Sequence, residues 1–142
     1  MKTKYIILVA VMVLVVAMGI TFFLMADDST TNSSTSDNLQ WNTDLNSALQ
    51  EAQSNNKSVF VDVYASWCTY CKAMDQNTYT DSRVQQKLSN YVLVKINGDQ
   101  NPDLMEKYQI YSYPTILILD SNGNVVKTIS GYQSPDDLIN QI

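Results

Sequence analysis

The sequence predicts an α/β fold in which a mixed four-stranded sheet is covered by helices on both faces and is preceded by one N-terminal transmembrane helix. Three observations predict it. Short β-branched runs alternate with amphipathic segments, the last two runs flank an Asn-Gly pair, and the first quarter is apolar, then polar. Alternating β and α units imply parallel strands joined by right-handed crossovers, whereas an Asn-Gly turn implies an antiparallel pair.

The front of the globular part is predicted as helix, strand, helix, strand. An amphipathic helix follows Thr43, its expected N-cap. Residues 58–64, SVFVDVY, are short and β-branched and predict a buried strand. Residues 71–76 are compatible with a helix, a further helix starts at the Asp81 cap, and residues 91–96, YVLVKI, form the next strand. The first helix rests on apolar positions at i, i+3, i+4 and i+7: Leu45, Ala48, Leu49 and Ala52.

The back of the chain is predicted as a short helix, a hairpin and a last helix. Residues 102–108 hold a proline suited to a first helical turn. Residues 115–119 and 124–129 flank Asp120-Ser121-Asn122-Gly123, so these two strands should be antiparallel. Ser134 then caps a helix whose first turn contains Pro135 and two aspartates.

The N-terminal apolar stretch, residues 5–25, is uncharged and as a helix would span roughly 30 Å, the thickness of a bilayer's hydrocarbon core. Lys2 and Lys4 precede it, and Asp27 and Asp28 follow it. By the positive-inside rule the N-terminus lies in the cytoplasm and everything after the stretch lies outside. We therefore expect a single-pass protein of the cell membrane.

Three segments follow from these patterns: a signal-anchor over residues 1–26, a flexible polar linker over residues 27–38, and a folded domain over residues 39–142. A cleaved secretory signal is the alternative for the first segment. It is less favoured because such signals have an apolar core of about 7 to 15 residues and end in small side chains.

Composition excludes several classes of function. The net charge is -5, and Lys and Arg do not cluster in the domain, so the sequence does not favour nucleic-acid binding. Histidine is absent, which removes Ser-His and Cys-His nucleophile pairs. The two cysteines form one Cys-x-x-Cys pair, which could supply only two of the four ligands of a structural zinc site. We therefore expect no metal and no cofactor.

The chemistry should reside in Cys68 and Cys71, which follow a predicted strand and open a predicted helix. Two intervening residues in a first helical turn bring the sulfurs within bonding distance, and the helix N-terminus stabilises a thiolate. Thiols at such positions have pKa values of roughly 3.5 to 7.5. Cys68 is therefore the expected exposed nucleophile and Cys71 the resolving thiol. A purely structural disulfide remains the alternative, although closing so small a loop would stabilise little.

The run VFVDVYASWCTYCK, followed by Tyr113-Pro114-Thr115 before a strand, resembles the thioredoxin superfamily over residues 40–142. Within that superfamily it is most similar to the C-terminal thioredoxin-like domain of DsbD-type thiol:disulfide interchange proteins. The shared features are Asp62, the cysteine pair, Asp75 and the segments over residues 80–84 and 114–117.

This resemblance implies roles for residues around the cysteines. Tyr113–Pro114 should be a cis peptide bond lying against the disulfide, with the backbone just before the proline pairing with a bound substrate segment. Asp62 should be a buried acid beneath the second cysteine, and Asp75 a second acid near the site, both able to tune thiol pKa and accept a proton. The alternative for Asp75 is an acid on the solvent-exposed face of a helix, with no role in the site. Trp67 either shapes the docking surface or packs against the core.

The leading hypothesis for function is a membrane-anchored, extracytoplasmic thiol:disulfide oxidoreductase that reduces protein disulfides. Its expected partners are protein disulfide substrates, the membrane through the N-terminal helix, and a membrane or extracytoplasmic electron donor. The direction towards reduction follows from the resemblance alone. An oxidase or isomerase of secreted proteins is the first alternative, and a chaperone or binding module with incidental cysteines is the second.

Overall fold

A computed structural model describes residues 39–142, which form a five-stranded sheet with helices on both faces. The predicted signal-anchor and the predicted linker both lie outside this described range. Within residues 39–142, no helix has the length and apolar character needed to cross a bilayer.

The strands of the sheet are β1 (Trp41–Asn42), β2 (Ser58–Tyr64), β3 (Tyr91–Asn97), β4 (Thr115–Leu119) and β5 (Val125–Ser130). The α-helices are α1 (Leu45–Asn55), α2 (Thr69–Ala73), α3 (Ser82–Leu88), α4 (Pro102–Lys107) and α5 (Pro135–Ile139). Helix α2 continues as a π-helical turn, Met74–Thr78, and β3 runs into a 3-10 turn, Gly98–Gln100.

The strand order is β1-β3-β2-β4-β5. Strands β1 and β2 both pair with β3 in parallel, while β4 is antiparallel to both β2 and β5. The mixed sheet and its closing hairpin are thus as predicted, but the expected number of four strands is wrong. The missed strand is β1, which is only two residues long and shows no periodicity of its own. It exists because Trp41 pairs with Leu93 and the Asn42 side chain donates to the Leu93 carbonyl.

The helix caps are confirmed with one correction. Asp44, not Thr43, caps α1, because its carboxylate accepts from the Ser47 amide at 2.8 Å. Asp81 accepts from the amide of Arg83 at the start of α3, and Ser134 accepts from the amide of Asp137 at the start of α5. Caps of this kind satisfy amides that have no partner inside the helix.

Strand β2 divides two apolar cores, one on each face of the sheet. Val59, Val61 and Val63 pack with α1, whereas Phe60 packs with residues of α3 and α5. Since side chains alternate along a strand, Asp62 lies on the same face as Phe60. An acidic side chain is therefore built into the face of the sheet that carries α3 and α5.

Candidate active site

The cysteine pair lies at the junction of β2 and α2, where the sequence predicts it. Cys68 is the N-cap of α2, with extended backbone angles of -74° and 109°, and it forms a disulfide with Cys71. The Cys71 amide donates to the Cys68 sulfur at 3.1 Å. An amide aimed at this sulfur, together with the partial positive charge of a helix start, stabilises a thiolate at Cys68 once the disulfide is reduced.

Exposure does not distinguish the two sulfurs in the disulfide form. Cys68 is 4% exposed and Cys71 is 3% exposed, so the expectation of an exposed Cys68 is wrong for this state. Both pack with Ala65 in a small cluster that Tyr64 and Tyr113 flank. The asymmetry between the cysteines is therefore one of hydrogen bonding, since the Cys71 amide faces the sulfur of Cys68.

The Tyr113–Pro114 bond is cis, as the resemblance implies. Tyr113 packs against the cysteine cluster, and Pro114 is buried. The Pro114 carbonyl accepts from the Gly131 amide at 2.8 Å, which ties the loop before β4 to the end of β5. The loop that carries Tyr113 is thereby fixed beside the disulfide.

Asp62 is 2% exposed, and one of its oxygens makes no hydrogen bond. Its other oxygen lies 3.6 Å from the Lys95 ammonium. Burial raises the pKa of Asp62 from 3.8 to about 6, because removing the carboxylate from water outweighs the attraction of Lys95. Asp62 is therefore a buried acid, as expected, and it changes protonation near neutral pH.

Lys95 joins the two acids that the sequence singles out. Its ammonium forms a second ion pair with Asp75, whose side chain is 43% exposed. The ammonium also lies 5.5 to 5.6 Å from the ring centres of Trp41, Tyr64 and Tyr79, a distance suited to cation–π attraction. Sequence reasoning missed Lys95, although a lone lysine in the apolar run YVLVKI was a signal, since β-sheet register places it directly opposite Asp62.

Tyr79 completes this buried group, and its hydroxyl is also without a hydrogen-bond partner within residues 39–142. Burial, and then the negative charges of Asp62 and Asp75, raise the pKa of Tyr79 above its usual value. We call Asp62, Lys95, Asp75 and Tyr79 the acid cluster. Sequence reasoning missed Tyr79, because nothing in the segment that contains it shows that its hydroxyl faces a carboxylate.

A second carboxylate organises the exposed side of the motif. The indole of Trp67 donates to one oxygen of Asp99 at 2.8 Å, and the hydroxyl of Tyr113 donates to the other at 3.1 Å. The two rings meet edge to face with centres 5.7 Å apart. We call Trp67, Asp99 and Tyr113 the Trp67 wall. Sequence analysis gave Asp99 no role, because its partners lie far from it along the chain.

Trp67 is 68% exposed, so the interpretation that it packs against the core is wrong. It stands at the surface next to Cys68 and does not pack into the core. Among the predicted site residues, the structure thus gathers Trp67, Tyr113 and Pro114 around the disulfide with Cys68 and Cys71. Asp62 and Asp75 meet at Lys95.

The amino-acid sequence is similar to those of known proteins with a thioredoxin-like domain. A model of the thioredoxin-like domain family matches residues 45–142. The chain is 37% identical over 97 residues to the thiol:disulfide interchange protein DsbD of Campylobacter jejuni strain RM1221, a match that covers 66% of this chain and 17% of that protein. The DsbD of Actinobacillus pleuropneumoniae is 35% identical over 100 residues, covering 65% of this chain and 17% of the relative. The chain thus spans about a sixth of the length of these relatives.

Two solved structures show the same fold. A putative disulphide-isomerase from Bacteroides thetaiotaomicron superposes with a TM-score of 0.66 at 28% identity, covering 74% of this chain and 90% of that one. The oxidised C-terminal domain of Neisseria meningitidis DsbD superposes with a TM-score of 0.61 at 24% identity, covering 72% and 96%. The chain belongs to the thioredoxin-like domain family, and its Cys-x-x-Cys pair is Cys68 and Cys71.

Proposed function

We propose that this chain is a membrane-anchored, extracytoplasmic reductase of protein disulfides. The position of the Cys68 sulfur carries the proposal. This sulfur caps a helix, accepts a hydrogen bond from the Cys71 amide and lies beside the cis-proline loop. A thiolate at that position is stabilised and has a resolving thiol three residues further along the chain.

The reaction follows from the unequal cysteines. The Cys68 thiolate attacks one sulfur of a partner disulfide, forming a mixed disulfide and releasing the partner's first thiolate. Cys71 loses its proton and attacks Cys68, so the mixed bond breaks and the partner's second thiolate leaves. Two electrons pass to the partner, each partner thiolate takes up a proton, and Cys68 and Cys71 become the disulfide.

Asp62 is the proposed proton acceptor for Cys71. Its pKa of about 6 means that at neutral pH the carboxylate is mostly ionised but still basic enough to take a proton. Lys95 and Asp75 adjust that basicity in opposite directions, since the cation favours the ionised form of Asp62 and the second carboxylate disfavours it.

Protein substrates are favoured by the surface around the disulfide, where exposed aromatic side chains gather. Trp67 precedes Cys68, and Tyr70 stands between the cysteines with its ring 6.2 Å from that of Tyr132. Tyr111 lies in the loop that leads to the cis-proline. Exposed aromatic groups of this kind supply contact area for a macromolecular partner.

The membrane placement and the direction of electron flow rest on separate support. Residues 5–25, with lysines before them and aspartates after them, support an anchor whose domain lies outside the cytoplasm. The likeness to DsbD supports reduction. The anchor stretch contains no cysteine, so the proposed source of electrons is a separate membrane or extracytoplasmic donor.

The decisive experiment is reduction of insulin disulfides by the full chain with Cys71→Ser and Cys68→Ser variants. We expect Cys71→Ser to accumulate a mixed disulfide visible on a non-reducing gel, and Cys68→Ser to lose activity altogether. Unchanged activity of Cys68→Ser towards client proteins would instead establish the chaperone alternative.

Direction is tested by the reduction potential of the pair in glutathione or dithiothreitol buffers. A value near about -270 mV supports a reductase, whereas one near about -120 mV supports an oxidase. Topology is tested with alkaline phosphatase fused after Ile142, which is active only outside the cytoplasm. An inactive fusion that is expressed at normal levels would contradict the extracytoplasmic placement.

A further inference from the structure

The thiol–disulfide exchange proposed above has no step that uses Asp99, yet its carboxylate holds two side chains that flank the disulfide. Trp67 directly precedes Cys68, and Tyr113 directly precedes Pro114 and packs on the cysteine cluster. Each oxygen of Asp99 accepts from one of them. The motif and the cis-proline loop, which lie far apart along the chain, are thus joined through one exposed acid.

Asp99 is itself held in place. Its amide donates to the side-chain oxygen of Asn97 at 3.1 Å at the start of the 3-10 turn. The amide nitrogen of the Asn97 side chain donates to the hydroxyl of Ser66 at 3.2 Å, and Ser66 precedes Trp67. The carboxylate is therefore anchored to the same loop that presents the indole.

Gly98 makes room for the second ring. A Cβ atom on this residue would lie 2.3 Å from the Tyr113 hydroxyl and 2.7 Å from the sulfur of Met105. The Tyr113 ring therefore lies directly against the Gly98 backbone. A side chain at this position would displace the hydroxyl that Asp99 accepts from.

We propose that Asp99 is a positioning residue that holds Trp67 and Tyr113 as a preformed wall beside the disulfide and thereby strengthens docking of protein disulfide substrates. The inference rests on the proposed reduction of protein disulfides. It concerns the affinity of the docking step and leaves the electron transfer between sulfurs unchanged, because Asp99 contacts neither sulfur.

The physical reason is preorganisation. Trp67 is 68% exposed, so without the carboxylate its indole would sample several rotamers, and the Tyr113 phenol would lose its acceptor as well. A partner would then have to order both side chains on binding, and ordering each one lowers affinity. A small disulfide that touches only the cysteines would not depend on that ordering.

The test compares insulin with glutathione disulfide as oxidants of the reduced full chain, using Asp99→Ala. We expect the KM for insulin to rise about tenfold with kcat within about twofold, because two side chains must be ordered on docking. We expect the rate with glutathione disulfide and the equilibrium constant with glutathione to stay within about twofold. The Trp67 indole N–H resonance should move towards the position of a freely exposed indole.

Two further variants keep the test specific. Tyr113→Phe removes one donor and keeps the ring, so it should raise the insulin KM less than Asp99→Ala does. Asp103→Ala removes an exposed acid of α4 and serves as the control for lost negative charge. A rise in KM equal to that of Asp99→Ala in this control would overturn the positioning role in favour of a general charge effect.

The remaining outcomes are equally decisive. An unchanged insulin KM in a folded Asp99→Ala chain would overturn the inference alone, as would an equal loss of activity with glutathione disulfide. Failure of the unaltered chain to reduce insulin would instead contradict the proposed function, and this inference with it.

Discussion

The acid cluster and the Trp67 wall both join a carboxylate to aromatic side chains, but they differ in burial. In the acid cluster, Asp62 is 2% exposed and burial raises its pKa to about 6. In the Trp67 wall, the carboxylate of Asp99 is exposed to solvent. Burial makes the protonation of Asp62 depend on its surroundings, whereas Asp99 holds two side chains in place by accepting a hydrogen bond from each. The two proposals thus assign proton transfer to the buried carboxylate and docking of the partner to the exposed one.

The largest expected effect comes from removing the buried charge with Asp62→Asn. The folded-state pKa of Asp62 is about 6 and its ordinary value is 3.8, so the folded chain binds the proton more tightly than the unfolded chain. A pKa difference of one unit corresponds to about 1.36 kcal/mol. Ionised Asp62 therefore lowers the free energy of unfolding by about 3 kcal/mol above pH 6, and this loss disappears below pH 4, where the carboxyl is protonated in both states.

Urea unfolding at pH 3 and pH 8 measures this effect. We expect the stability of Asp62→Asn relative to the unaltered chain to be about 3 kcal/mol more favourable at pH 8 than at pH 3. A difference that does not change with pH would show that Asp62 is not held as a buried acid. The same substitution should also slow resolution of the mixed disulfide near neutral pH.

The next largest effect is expected from Lys95→Met, which keeps the length of the side chain and removes its charge. Asp62 and Asp75 then lose their shared cation, and we expect a loss of about 2 kcal/mol at pH 8. The pKa of Asp62 should rise above 6, because Lys95 lowers it in the intact protein. Infrared titration of the Asp62 carboxylate measures this, with Lys57→Met as the control. A pKa that falls would contradict the arrangement.

A smaller effect is expected from Gly98→Ala, which disturbs the Trp67 wall without altering any charged group. The added Cβ would lie 2.3 Å from the Tyr113 hydroxyl, so the ring must shift and its bond to Asp99 must lengthen or break. Overpacking of this kind destabilises by about 1 kcal/mol. Thermal unfolding should show that loss, while the pH dependence of stability stays that of the unaltered chain.

The smallest effect on stability is expected from Asp75→Asn, since its ion pair with Lys95 is partly exposed. Pairs of this kind contribute up to about 1 kcal/mol, and solvent screening reduces the figure further. The pKa of Asp62 should nevertheless fall below 6, because the negative charge of Asp75 raises it. The activity profile of Asp75→Asn should therefore shift to lower pH, and a shift to higher pH would show that Asp75 does not act on Asp62.

Much of the framework was accessible from local patterns. Strand β2 was predicted with its observed bounds, Ser58–Tyr64, because a β-branched run ends there at the cysteine motif. The caps at Asp81 and Ser134 were predicted because capping is a contact between neighbours along the chain. The cysteine pair was located for the same reason, since its spacing and its place before a helix are local features.

The missed features depend on residues that are distant in sequence. Strand β1 forms because Trp41 pairs with Leu93 of β3. Asp99 belongs to the site because the side chains of Trp67 and Tyr113 donate hydrogen bonds to its carboxylate. The expected exposure of Cys68 was wrong because packing against Ala65 and Tyr113 covers the sulfur. Such contacts leave no periodic trace in the segment that makes them.

By itself, the sequence determined the order of most helices and strands and the position of the cysteine pair, because these follow from hydrophobic spacing and from contacts between neighbours along the chain. The two acids were singled out by the resemblance to a known family. Only the tertiary structure decided that Lys95 joins the two acids and that Asp99 joins the motif to the cis-proline loop. In both cases a charged atom lies between groups brought together by folding, and the strength of that contact depends on distance and burial, which a linear sequence does not contain.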